Sequence, residues 1–172
     1  MSPAYPQSPR HAPAQQGGGF VGHRPHDSAP PPIRLDDIKF GESLDPNLFA
    51  DVAQAKAKAI AEEGRGRKNK STQLRKFYDE LVMWHDKVFL ARDDTGKTSD
   101  SARKKEYDRL APFIKMLCAK VTYAEGRDHV SKGFEKFFTH IIRAVKDPET
   151  LKHAKLFMEA FMGFYKAEEK DK

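Results

Sequence analysis

Few side chains in this sequence could do covalent or metal chemistry, and their spacing does not support it. Seven histidines and one cysteine stand among 172 residues. His11, His23 and His26 fall in a proline-rich stretch with no metal-ligand spacing. His85, His129, His140 and His153 lie in helical sequence, and none belongs to an HExxH or ExxH pattern, which would set two donors on one helix face. They read as structural or surface histidines. Cys118 follows Ile114-Lys115-Met116-Leu117 and precedes Val121, an apolar setting that keeps a thiol protonated and inert. A lone cysteine forms no intrachain disulfide, which suits a reducing, cytoplasmic setting. Carboxylates are scattered beside lysines, as on ion-paired helix surfaces. Gly64-Arg65-Gly66-Arg67 is too short for a Walker loop, and no GKS or GKT follows. No catalytic residue, metal site or cofactor is expected. The chain reads as one that binds.

The basic residues are better organised. Lysine plus arginine exceed aspartate plus glutamate by 31 to 25, a net charge of +6. That excess favours a polyanionic partner, or serves solubility alone. From Gly64 to Lys76 stand Arg65, Arg67, Lys68, Lys70, Arg75 and Lys76, with no acid among them. The first four occupy a glycine-containing linker that leads into a helix start, whose dipole also attracts an anion. A flexible basic loop beside a helix N-terminus would cradle phosphate; the alternative is a solvated linker. A second set, Lys120, Tyr123 and Arg127, falls at i, i+3 and i+7. It forms a stripe roughly 90° or more from the centre of the apolar face, provided the helix reaches Arg127. Two cations flanking an aromatic ring suit a groove that tracks a nucleic-acid backbone and stacks on bases. The competing reading is a tyrosine anchoring the helix end while the cations meet its last carbonyls.

The elements that must position these residues are helices. Residues 1–32 hold eight of the eleven prolines and the run Gly17-Gly18-Gly19. They offer too little apolar surface to offset ordering entropy, so a disordered arm is expected. Residues 33–44 predict an extended strap that docks through Ile33, Leu35, Ile38 and Phe40. Residues 45–168 predict a helical bundle, and 169–172 a charged tail. Asp45-Pro46 opens the first helix, an N-cap carboxylate followed by a proline, and Gly64 stops it. Ser71-Thr72 caps the second, whose inward stripe falls at 74, 77, 78, 81, 85 and 88. A third helical region spans about Ser101 to Glu125, and Pro112 predicts a kink or break near Arg109 to Ala111. Val130, Phe134, Phe137, Phe138, Ile141, Ile142 and Val145 mark the fourth helix, and Asp147-Pro148 opens the fifth. No stretch sustains period-2 alternation. The fold class is all-α, a compact bundle of about five helices behind the arm. No apolar run approaches the ~18 residues of a membrane span.

Three stretches of this chain resemble the small helical subunit of type III-A CRISPR effector complexes, the Csm complexes. They are Thr72 to Glu80 (TQLRKFYDE), Lys120 to Arg127 (KVTYAEGR) and Phe157 to Lys166 (FMEAFMGFYK). The similarity covers roughly Leu44 to Lys166, and the Pro/Gly-rich arm departs from the family pattern. The resemblance implies a non-catalytic cytoplasmic subunit present in several copies. Such subunits self-associate and stack beside the backbone filament with the other Csm subunits. They contact the guide (CRISPR) RNA–target RNA duplex through sugar and phosphate, while base pairing reads the sequence. The family's motif positions fall on Gln73 to Lys76 and on Lys120 to Arg127, the same places the charge pattern marks. Phe157 to Lys166 is assigned to core and subunit packing. The alternative is a helical scaffold that makes protein–protein contacts without touching RNA. A basic DNA-binding domain is a weaker third reading, because no convincing helix-turn-helix is present.

Overall fold

Side chains cap three of the helix starts in the computed structural model, which describes residues 32–170. The arm expected over residues 1–32 lies outside the described residues apart from Pro32, as do Asp171 and Lys172. A π-helical turn, Leu48–Val52, runs into α1, Ala53–Gly64. There follow α2 (Ser71–Phe89), α3 (Asp100–Lys115), α4 (Leu117–Gly126), α5 (Lys132–Ala144) and α6 (Pro148–Lys170). No strand occurs among the described residues. Ser99 Oγ accepts from the Ala102 N–H, and Ser131 Oγ from that of Phe134, each at 3.2 Å. Asp147 Oδ1 accepts from the Thr150 N–H at 2.7 Å, and Pro148 takes the first helical position as expected. Each such cap satisfies a donor that the helix itself cannot.

Two starts differ from the sequence reading. Asp45 Oδ1 accepts from the Asn47 N–H at 2.8 Å, which makes a side-chain turn rather than an N-cap. Helical geometry then begins at Leu48, with an i→i+5 bond from the Val52 N–H to the Asn47 carbonyl at 3.2 Å. Ser71 is not the cap of α2 but its first residue, preceded by Lys70, which makes no side-chain cap bond. The Pro112 expectation also needs correction. The helix passes through Pro112 and is interrupted at Met116, where ψ opens to −17°. Pro112 withdraws only one donor, while Leu110 and Ile114, on either side of it, are held by the core. Tertiary packing outweighs one lost bond. The third helical region is therefore one rod in two segments. At the other end of the chain, α6 carries helix through Glu169 to Lys170, into the expected charged tail.

The core forms where the apolar stripes converge. Phe134, Phe137, Phe138, Ile141 and Ile142 of α5 are fully buried, as are Leu151, Ala154, Phe157, Met158 and Phe161 of α6. Phe137 and Phe161 meet with ring centroids 4.7 Å apart. Burying side chains of this size contributes about 1.5–3 kcal/mol each. Ala53, Ala57 and Ile60 of α1 give a small-residue surface that lies against α6. Leu74, Leu81 and Val88 of α2 and Ile114, Leu117 and Val121 of the α3–α4 rod complete the core. The strap docks as its apolar residues predict: Ile38 is buried, and Ile33, Leu35 and Phe40 pack against the core. It is not extended throughout, because the Ile38 N–H bonds back to the Leu35 carbonyl at 3.1 Å. Lys56 Nζ holds Asp37 at 2.6 Å, and the His140 ring bonds the Ile38 carbonyl at 3.0 Å.

Two buried phenols give the bundle an alkaline limit. Tyr107 donates to the Val145 carbonyl at 3.3 Å, and Tyr165 to the Asn69 carbonyl at 2.5 Å. Burial pushes both hydroxyls up to about 12, from an ordinary value near 10. Because the folded value is the higher one, this stabilisation is intact below pH 10 and is lost as pH rises towards 12. The melting temperature is expected to fall across that window. In Tyr165→Phe, which has no phenol to ionise there, the fall is expected to be shallower by differential scanning fluorimetry.

Candidate nucleic-acid interface

The expected flexible linker between α1 and α2 is a tight turn built around Asn69. Arg65, Gly66 and Asn69 all take left-handed backbone, with φ of 45°, 71° and 59°. Gly adopts this conformation without steric cost, and Asn is the side chain that best tolerates it. The Arg67 and Lys68 N–H groups both bond the Gly64 carbonyl, at 3.0 and 3.1 Å. Asn69 is fully buried. Its Nδ2 donates to the Ile60 carbonyl at 3.0 Å and to Ser131 Oγ at 2.8 Å, and its Oδ1 accepts from the Ser131 N–H at 2.7 Å. One side chain thus ties the end of α1 to the start of α5. Sequence reasoning missed it, although an Asn close behind Gly-Arg-Gly is a signal for left-handed backbone.

The same turn brings the two basic segments together. The Asn69 N–H bonds the His129 carbonyl at 3.1 Å, and Lys68 Nζ bonds Asp128 at 2.5 Å. Further along, Lys120 Nζ bonds Glu80 at 2.5 Å, and Trp84 stacks on Phe113 with centroids 5.9 Å apart. These links run α2 antiparallel to the α3–α4 rod. Lys76, exposed and one turn before Glu80, shares the Glu80 side of α2. Arg65, Arg67 and Lys68 line a hollow with Glu63 and Asp128, and Arg127 precedes Asp128 in the chain. The structure therefore ties Lys68 to Asp128, beside Arg127 and its partner Tyr123, and ties Lys120 to Glu80, with Arg65 and Arg67 on the hollow that Lys68 lines. Two candidates point elsewhere. Lys70 lines a hollow with Tyr165 and Glu169, whose rim Lys68 shares, and Arg75 lines the α2–α6 groove with Tyr78, Glu159 and Lys166. Arg75 lies 3.6 Å from Asp79 in an exposed i, i+4 pair.

Carboxylates already occupy much of what looked like free cationic space. The Ser71 N–H at the start of α2 donates to Glu169 Oε1 at 3.2 Å, while Lys166 holds the other oxygen at 2.6 Å. The Lys166 ammonium, then Ser71, keep the Glu169 carboxyl below its ordinary range. The phosphate cradle expected at this helix start is thus filled by the chain itself. Glu63 does the same at the start of α5, accepting from the Gly133 N–H at 2.9 Å. Asp128 and Glu80 neutralise Lys68 and Lys120. Arg127 Nη1 donates to the Tyr123 hydroxyl at 3.0 Å, and its guanidinium lies 5.8 Å from the ring centre. Lys120 and Arg127 therefore engage Glu80 and Tyr123 rather than the helix-terminal carbonyls of the competing reading. Tyr123 is 66% exposed, so its ring is open to stacking.

Among the described residues no group of three His, Cys, Asp or Glu side chains could hold a metal ion. Cys118 is half-buried, and burial pushes its thiol up. His85 stacks on Phe89, and His153 Nε2 lies 3.1 Å from Glu149. No helix among the described residues is long and apolar enough to cross a membrane. The family model described as Csm2 Type III-A matches residues 48–171, from the π-helical turn to the last helix. The chain belongs to this family. Csm2 is the small subunit of the type III-A Csm complex, and the matched span contains every basic residue discussed above. No curated protein and no solved structure matches the chain.

Proposed function

We propose that this Csm2 chain holds the sugar–phosphate backbone of the guide RNA–target RNA duplex. The contact face is Arg65, Arg67 and Lys68 of the turn, Lys76 and the Lys120–Arg127 stripe. In this reading several self-associating copies stand beside the other subunits of a cytoplasmic Csm complex, and the chain itself catalyses nothing. One observation carries the reading: two basic segments far apart in sequence are clamped together by Lys68–Asp128 and by the Asn69–His129 backbone bond. Their spacing favours backbone contact, because cations and an exposed ring bind any nucleotide sequence. The internal carboxylates keep binding by the isolated chain weak, since a phosphate that takes Lys68 or Lys120 must displace Asp128 or Glu80. A salt titration with labelled single-stranded RNA, RNA duplex and DNA duplex tests this. RNA binding that is independent of sequence and falls linearly in log K against log salt is expected. No RNA binding at low salt, or binding that follows base sequence, would overturn it.

A further inference from the structure

Of the residues of α5 only Lys132, Lys136 and Arg143 are exposed, and all three are cations. Their spacings of four and seven put them on one ridge, about 16 Å long at the helical rise. This ridge is separate from the Lys120–Arg127 stripe. α5 pairs antiparallel with the α3–α4 rod: Lys132 lies 3.9 Å from Glu125, Thr122 donates to Glu135 at 3.0 Å, and Lys115 donates to the Arg143 carbonyl at 3.3 Å. Thr122, which meets α5, and Lys120, which meets Glu80 of α2, lie about 200° apart around α4. The two rows of cations therefore flank α4, the stripe towards α2 and the ridge on α5. Between them α4 exposes Ala119, Thr122 and Gly126, none of them charged. We propose that Lys132, Lys136 and Arg143 hold one strand of the guide–target duplex while the Lys120–Arg127 stripe holds the other, with α4 lying across the duplex's minor groove. The inference rests on the RNA reading and deepens it, by giving each strand its own row.

Separation, depth and charge select an RNA duplex. Packed helix axes stand roughly 8–10 Å apart, so a single backbone can follow one row, and two are needed to occupy both along their length. α4 has α5 on one flank and α2 on the other, and its Leu117 and Val121 are buried in the core. It does not stand proud of the surface, so only a shallow groove can close over it. A-form RNA presents its two strands across a wide, shallow minor groove. In B-form DNA the minor groove is only about 6 Å wide and the major groove is about 8.5 Å deep, too narrow in one case and too deep in the other. The ridge is also less neutralised than the stripe. Lys132 is 3.0 Å from Glu135, but Lys136 and Arg143 have no ion-pair partner among the described residues. They take a phosphate without freeing a carboxylate, as Lys120 cannot, and so give the full counterion release.

The test is a salt titration of the full chain carrying Lys136→Ala and Arg143→Ala together. Its ligands are a labelled RNA duplex, one strand of that duplex alone, and a DNA duplex of the same sequence. On the RNA duplex the slope of log K against log salt is expected to flatten by about 1.8, two phosphate contacts at about 0.9 each. On the single strand and on DNA the parent's slope should be kept, and so should its melting temperature, since both positions are exposed. Arg127→Ala, on the other row, should flatten the slope on the single strand as well as on the RNA duplex. If the parent binds the RNA duplex and the double variant binds it with the same slope, the second row is wrong and the RNA reading stands. Equal flattening on the single strand or on DNA would mark the ridge as a general anion contact and overturn the two-strand assignment. A parent that binds no RNA would overturn both.

Discussion

Replacing Asn69 by alanine is expected to cost the domain about 3–5 kcal/mol, near the top of the range for single substitutions. The substitution strands the Ser131 N–H in a fully buried site and takes a donor from the Ile60 carbonyl and from the Ser131 hydroxyl, which keeps only the Phe134 N–H. It also places a Cβ-bearing residue at φ 59° without the polar side chain that tolerates it. For a chain of this length the loss corresponds to a fall in melting temperature on the order of 10 °C. Asn69→Gly separates the two contributions, since it removes the same bonds but accepts the left-handed backbone; it should fall between Asn69→Ala and the parent. Asn69→Asp keeps an acceptor for the Ser131 N–H but gives up both donors and buries a charge, so it should be no better than Asn69→Ala. A urea midpoint for Asn69→Ala equal to the parent's would show that the turn is organised by something else. Because the same turn carries Arg65, Arg67 and Lys68, RNA affinity should fall together with stability in this series, whereas surface charge variants should separate the two.

What the sequence made legible, and what it did not, follows from where the determining contacts lie. The apolar stripes of α5 and α6 are local patterns, and Phe134, Phe137, Phe138, Phe157 and Phe161 are buried where a 3.6-residue period puts them. Asp147-Pro148 was readable because its cap is closed by Thr150, three residues on. Asp45-Pro46 has the same two residues and yields a different start, because the Asp45 carboxylate turns to Asn47 instead. The start of α2 was not readable from Ser71-Thr72, since the group that meets Ser71 is Glu169, from the far end of the chain. The interruption at Met116 rather than beside Pro112 likewise depends on how Leu110 and Ile114 are held in the core. At the candidate site the cations were visible in the sequence because they cluster. Their counter-charges were not: Glu80 meets Lys120 across forty residues and Asp128 meets Lys68 across sixty. A run without acids between Gly64 and Lys76 is not a surface without acids.

Those counter-charges change what a mutational scan of the RNA face should return. Arg67→Ala, Lys76→Ala and Arg127→Ala are each expected to flatten the slope of log K against log salt. The change should be about 0.7 on a single strand or 0.9 on a duplex-like site, for any sequence. Combined, the three should weaken RNA binding roughly a hundredfold at low salt. Lys68→Ala and Lys120→Ala should flatten the slope less. A phosphate that takes either lysine frees Asp128 or Glu80, which then gathers its own cation and offsets the counterion release. Glu80→Gln should accordingly bind RNA more tightly and with a steeper slope than the parent. Arg75→Ala, directed into the α2–α6 groove, should bind like the parent. Folding should survive each change, since Arg67, Lys76, Lys120 and Arg127 are exposed and surface substitutions usually shift stability by less than about 0.5 kcal/mol. A helical scaffold that makes only protein contacts requires a different result, with every variant at the parent's RNA affinity and defects confined to assembly. If Arg75→Ala alone weakens binding while Lys76→Ala and Arg127→Ala do not, the RNA lies against α6 and the face assigned to it here is wrong.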